Sequence, residues 1–78
     1  MFTCYVIENG WILVGEEKKE DKYVSLEQAA VVRRWSNGKG IGGIAKKENK
    51  HEYTLDPIGD VDILESKILF KIPCEWGD

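Results

Sequence analysis

Residues 2–15 read FTCYVIENGWILVG, and this stretch decides the fold. The runs 2–8 and 11–15 are rich in apolar, aromatic and β-branched residues, as strands prefer, and Asn9-Gly10 separates them. Asn-Gly is the strongest short hairpin signal, because both positions of a two-residue loop need φ > 0. Such a loop places Glu8 across from Trp11, Val6 across from Leu13 and Cys4 across from Gly15. The opposite face pairs Ile7 with Ile12 and Tyr5 with Val14. Both faces are then apolar, whereas a half-exposed sheet shows one polar face. The hairpin from Phe2 to Gly15 is therefore expected to be covered on both sides, by the fold or by a second subunit. A homo-oligomer built through it is the expected assembly.

Working outward, the chain has 78 residues, which fits a single domain over 1–78. It is 42% hydrophobic and 32% charged, a globular and not a disordered composition. The length excludes large folds such as a TIM barrel or a kinase and disfavours an elaborate cleft within one subunit. Residues 16–21 (EEKKED) form a charged loop, and 23–26 read as a third strand. Residues 26–35 fit either a helix capped by Ser25, with Gln28 completing a capping box, or a tight turn followed by a strand from Ala30 to Trp35. The strand reading is preferred on Val31, Val32 and Trp35. One short helix is expected around residues 41–48, stopped near Asn49. Residues 52–55, 58–63 and 67–72 complete about six short strands, with Pro73 ending the last. The expected fold class is α+β and mostly antiparallel β: a small twisted sheet or partly open barrel with one short helix.

The net charge of −3 hides a pattern. Residues 1–29 carry three Lys and six acids, 30–51 six Lys/Arg and one acid, and 52–78 two Lys and seven acids. A basic island in an acidic chain suits a small anionic ligand better than a long polyanion, so nucleic acid is not the expected partner. Cys4 and Cys74 form no C-x-x-C pair. If the first and last strands pair, the two thiols come close. No signal peptide and no membrane span is visible, and the expected location is cytoplasmic, with reduced thiols.

The island holds the densest set of functional residue types: Arg33-Arg34-Trp35-Ser36-Asn37-Gly38-Lys39-Gly40-Ile41-Gly42-Gly43. Arginines offer forked donors to phosphate. Glycines let backbone N–H groups approach an anion, and a helix start adds the positive end of its dipole. Trp35 can stack a base, and Ser36 and Asn37 can bond a phosphate or cap the helix. The candidate ligand-binding residues are Arg33, Arg34, Trp35, Ser36, Asn37, Lys39, Gly40 and Gly42. No Walker A or dinucleotide fingerprint is present. The same residues also read as a Gly-rich turn with Trp35 in the core. In a regular strand Arg33 and Arg34 point to opposite faces, Arg33 with Trp35 and Arg34 with Ser36, so at most one shares a face with Trp35's neighbours. His51 has no partner set at catalytic or zinc spacing, and Asp56, Asp60, Asp62 and Glu65 lack the calcium-loop spacing. No metal, cofactor or catalytic set is expected.

Ala30-Val31-Val32-Arg33-Arg34-Trp35, Gly40-Ile41-Gly42-Gly43-Ile44-Ala45, Thr54-Leu55-Asp56-Pro57 and residues 68–74 follow one another in a pattern that resembles small uncharacterised phage and prophage proteins. The resemblance covers about residues 22–74, with Ser36-Asn37-Gly38 where a small-residue turn usually follows the Trp. Small oligomeric phage proteins include sponges that sequester nucleotide immune signals such as cyclic ADP-ribose isomers, ADP-ribose conjugates or cyclic oligonucleotides. By that analogy the expected function is non-catalytic capture of a small phosphorylated nucleotide. The alternatives are a phage accessory module that docks a protein, and a small nucleic-acid-binding regulator.

Overall fold

The computed structural model describes residues 2–19, 22–35, 38 and 40–76. Five strands, β1 (Phe2–Ile7), β2 (Trp11–Lys19), β3 (Tyr23–Trp35), β4 (Tyr53–Leu64) and β5 (Ile68–Pro73), form one antiparallel sheet in the order β4-β3-β2-β1-β5. The expected mostly antiparallel β architecture is present, with five strands in place of about six.

The hairpin forms with a different register. Glu8–Gly10 make a three-residue connection, with Asn9 at φ 68 and Gly10 at φ 80. Asn-Gly thus takes left-handed backbone as expected, but it fills the last two places of a longer loop. The partners become Ile7↔Trp11, Tyr5↔Leu13 and Cys4↔Val14. A one-residue slip changes every cross-strand pair. Cys4 and Val14 now face one layer with Ala30, Val32, Ile44, Tyr53, Cys74 and Trp76. Tyr5 and Leu13 face a second layer with Val24, Leu26, Ala29 and Ile63. Both faces of the hairpin are apolar because the chain itself covers both. Of the hairpin's large side chains, Trp11 at the tip stays 55% exposed.

Residues 26–35 belong to one long strand, so neither the helix nor the turn at 26–30 forms. The strand survives because of a bulge. Gln28 takes φ 53, and the β3–β4 ladder shifts between Leu26 and Ala29. The extra residue inverts the alternation, so Leu26 and Ala29 face the second layer while Ala30 and Val32 face the first. Asp56-Pro57 does not break β4 either. β4 is an edge strand, where a missing N–H leaves no ladder bond unmade.

β4 and β5 lie at opposite edges of the sheet, yet only Glu65–Lys67 joins them. The edges must therefore approach at that end, and the sheet curls around the second layer without closing. Glu65 N–H donates to the Lys22 carbonyl at 3.1 Å there.

The first layer is capped by the β3–β4 connector and the C-terminal segment. The expected helix over 41–48 is instead two 3-10 turns, Ile41–Ala45 and Lys47–Glu52, separated by extended Lys46 (φ −85, ψ 126). Gly42-Gly43 and the branched Ile41 and Ile44 are poor α-helix formers, and short 3-10 turns suit a connector. Ile44 is fully buried, which stabilises by about 1.5–3 kcal/mol. Trp76 Nε1–H donates to its carbonyl at 2.9 Å, and Glu75 N–H to that of Ala45 at 2.8 Å. β5 does pair with β1, and Cys4 and Cys74 are free thiols buried in one layer. Burial pushes Cys4 up to about 12 and Cys74 to about 11.

Candidate ligand-binding site

Of the expected site residues, the structure describes Arg33, Arg34, Trp35, Gly40 and Gly42. A second bulge in β3 sits at Arg33, where the ladder passes from Val32↔Leu55 to Arg34↔Thr54. Val32 and Trp35 both reach the first layer, and both arginines are exposed between them. The bulge interrupts the regular alternation on which the placement of the two arginines rested. Arg33 Nε is 3.9 Å from Asp56 Oδ2, with both side chains more than half exposed, a pairing worth ~0–1 kcal/mol. Trp35 is a packing residue: its ring lies 5.7 Å from that of Tyr53, tilted 38°. Gly40 (φ 66) serves the same aromatic, accepting the Tyr53 hydroxyl at 2.6 Å. Gly42 faces open space. Ser36, Asn37 and Lys39 lie outside the described residues. The 3-10 turn after Gly40 has five residues, too few for a useful dipole. Structure thus joins Trp35 and Gly40 through Tyr53 and leaves Arg33, Arg34 and Gly42 apart from the main concavities.

A different part of the basic island builds a concavity. Lys47, Lys50 and His51 line an open hollow of about 450 Å³ with Tyr53 and Leu55. Local structure explains the convergence. A 3-10 turn repeats every three residues, so Lys47 and Lys50 eclipse on one side. Tyr53 and Leu55 are two apart on β4 and share its inward face. Asn49 is turned in and 9% exposed, and its Nδ2–H bonds the Gly43 carbonyl at 3.0 Å, locking the two 3-10 turns together. Tyr53 is 4% exposed and fixed by its bond to Gly40, giving the hollow a rigid floor. Lys46 is turned to Glu75, 3.5 Å away, and Glu48 and Glu52 do not line the hollow. The result is two lysines and a histidine bordering an aromatic and apolar floor, an arrangement that can hold a phosphate or carboxylate.

Sequence reading missed Lys47 and Lys50 because an α-helix over 41–48 leaves Lys50 beyond its end. The K-x-x-K spacing followed by Y-x-L was the available signal.

Another hollow, about 320 Å³, opens beside the second layer at Tyr5. The Tyr5 hydroxyl donates to Glu17, Thr3 Oγ1 lies 3.5 Å from the same carboxylate, and Lys71 Nζ lies 3.7 Å from it. Burial first, then the bond to Glu17, raises the Tyr5 phenol above its ordinary value. These groups satisfy one another and read as a structural polar plug. Among the described residues, no group of three His, Cys, Asp or Glu is placed to hold a metal ion, and no helix is long and apolar enough to cross a membrane. Comparison with known proteins finds no matching family model and no matching curated protein.

Proposed function

We propose that this chain is a non-catalytic capture protein for a small phosphorylated ligand of the nucleotide class, as in a phage sponge that blunts nucleotide-signalled bacterial defence. The observation that carries the reading is the convergence of Lys47, Lys50 and His51 over Tyr53 and Leu55. Charge on the rim and an aromatic floor match the two halves of such a ligand. Its volume falls at the low end of the ~300–1,000 Å³ of small-molecule sites. Isothermal calorimetry against ADP-ribose isomers and cyclic di- and trinucleotides tests it. Binding that weakens at least tenfold in the Lys47→Ala/Lys50→Ala double variant supports the reading. No binding at micromolar protein, or binding indifferent to both lysines, overturns it.

A second reading, a protein-interaction module, is favoured by the exposure of Trp11 (55%), Leu69 (63%) and Phe70 (51%). The homo-oligomer expected through the hairpin would rest mainly on Trp11, since the strands' faces are covered. Light scattering on the wild-type chain and on Trp11→Ser decides it: a monomer in both removes this reading of the hairpin.

A further inference from the structure

The basic hollow does not end at Leu55. Lys50 and Leu55 also line a second, mostly apolar cleft of about 360 Å³ on the same side of the sheet. Phe2, Ala30, Pro57 and Trp76 contribute its apolar surface. The two hollows therefore share a border at Lys50 and Leu55, with two lysines and a histidine on one side and a mostly apolar wall on the other.

Trp76 is held rigidly in that wall. Its indole N–H is bonded to the Ile44 carbonyl, and the Phe2 ring packs against it at 6.1 Å. The cation of Lys50 lies 5.0 Å from the centroid of the Trp76 ring. Trp76 is 4% exposed, so the Lys50 cation helps cover a ring that has little open surface. That same lysine also lines the anion hollow.

We infer that the apolar cleft is the ring subsite of the captured ligand: Lys50 swings from the Trp76 face to the phosphate, and the nucleobase takes its place against Trp76. The inference rests on the capture reading above and adds what the ligand must carry, an aromatic ring as well as a phosphate. Two features give it content. Lys50 exchanges one favourable partner for another, so uncovering Trp76 is coupled to anion binding. The cleft is lined mainly by carbon, with Gln28 the one uncharged polar side chain among the described residues that line it, so it selects for a flat ring more than for a particular base.

The test titrates the intact chain with AMP, ribose 5-phosphate, inorganic phosphate and adenosine, by calorimetry and by tryptophan fluorescence in a Trp11→Phe/Trp35→Phe background that leaves Trp76 alone. The expected result is AMP binding at least tenfold tighter than ribose 5-phosphate, with Trp76 emission quenched by AMP and unchanged by inorganic phosphate. Ribose 5-phosphate binding within twofold of AMP, with the Lys47 and Lys50 dependence intact, overturns the ring subsite and leaves anion capture standing. Failure of every phosphate-bearing probe to bind overturns the ring subsite, and failure of the ADP-ribose isomers and cyclic nucleotides as well overturns both. AMP binding without a change at Trp76 places the base elsewhere and also overturns the inference.

Discussion

Replacing Gly15 with alanine should loosen the whole sheet. The backbone of Gly15 lies on β2 where the ladder jumps from Val14↔Ala30 to Glu16↔Glu27. The β3 bulge at Gln28 presses against this point. A Cβ at Gly15 would stand 3.0 Å from Leu26 Cβ, 3.1 Å from Ala29 Cα and 3.2 Å from the Glu27 carbonyl oxygen. None of these atoms can rotate away, since two are backbone and the third is fixed to it. β3 must retreat, and it carries Leu26 and Ala29, which are 0% and 1% exposed in the second layer. Overpacking of this kind costs about 1–3 kcal/mol. For a domain of this size that lowers the melting midpoint on the order of 10 °C. Circular dichroism melts and urea titrations read it, with the urea slope unchanged if the variant still folds two-state. Gly42→Ala is the control: its Cβ meets nothing within 4 Å, so stability should hold or rise by about 0.4–1 kcal/mol. An unchanged midpoint for Gly15→Ala would refute the close approach of the bulge to β2. Equal losses at both positions would refute the steric reasoning as a whole.

The site reassignment predicts that Arg33→Ala/Arg34→Ala changes affinity for a phosphorylated ligand less than twofold in calorimetry, against at least tenfold for the Lys47/Lys50 pair. Tyr53→Phe removes the 2.6 Å bond to the Gly40 carbonyl and should cost about 0.5–1.5 kcal/mol in urea unfolding, with the rim charges kept. The folded chain holds the Cys4 and Cys74 protons more tightly than the unfolded chain, for which 9.0 is the ordinary thiol value. Their contribution is therefore complete below pH 9.0 and is lost as pH rises toward about 12 and 11 respectively. Urea unfolding at pH 7.5 and pH 10 should show a smaller alkaline loss in Cys4→Ala/Cys74→Ala than in the wild type; an equal loss would remove the thiols from the explanation.

What the chain disclosed depended on the range of the interaction. The two-faced apolar hairpin was legible because alternation and Asn9-Gly10 are local signals. The loop length was not, since a three-residue connection uses the same left-handed pair. The bulges at Gln28 and Arg33 left no sequence mark: neither is a glycine, and each exists because β3 must satisfy two core layers while pairing β2 and β4. Missing the second bulge sent Arg33 and Arg34 to opposite faces in the expectation. Residues 52–55 and 58–63 read as two strands because tolerance of Pro57 within β4 depends on β4 lying at an edge, which is a property of the sheet. The basic island was legible as charge, but its hollow depended on 3-10 and not α spacing, a choice made by burial of Ile44 and Asn49.

β4 also explains why a mildly acidic chain can favour an anion of limited length. Its first residues, Tyr53 and Leu55, floor the basic hollow. Further along the same strand, Asp56, Asp60 and Asp62 are exposed. Asp60 and Asp62 stand five and seven residues past Leu55, which at ~3.3 Å per residue is roughly 16 and 23 Å. Both distances exceed the ~8 Å screening length at physiological ionic strength. A phosphate held at Lys47 and Lys50 lies beyond the reach of those two carboxylates. A polyanion laid along β4 would meet them in turn, and Asp56, loosely paired with Arg33, stands first in that path. On the capture reading, the strand that supplies the floor also supplies a length filter, one that weakens as salt rises. Oligonucleotides of increasing length should therefore bind progressively worse than a dinucleotide at low salt, with the difference shrinking in high salt. Affinity that climbs with length would instead mark the basic island as a nucleic-acid surface.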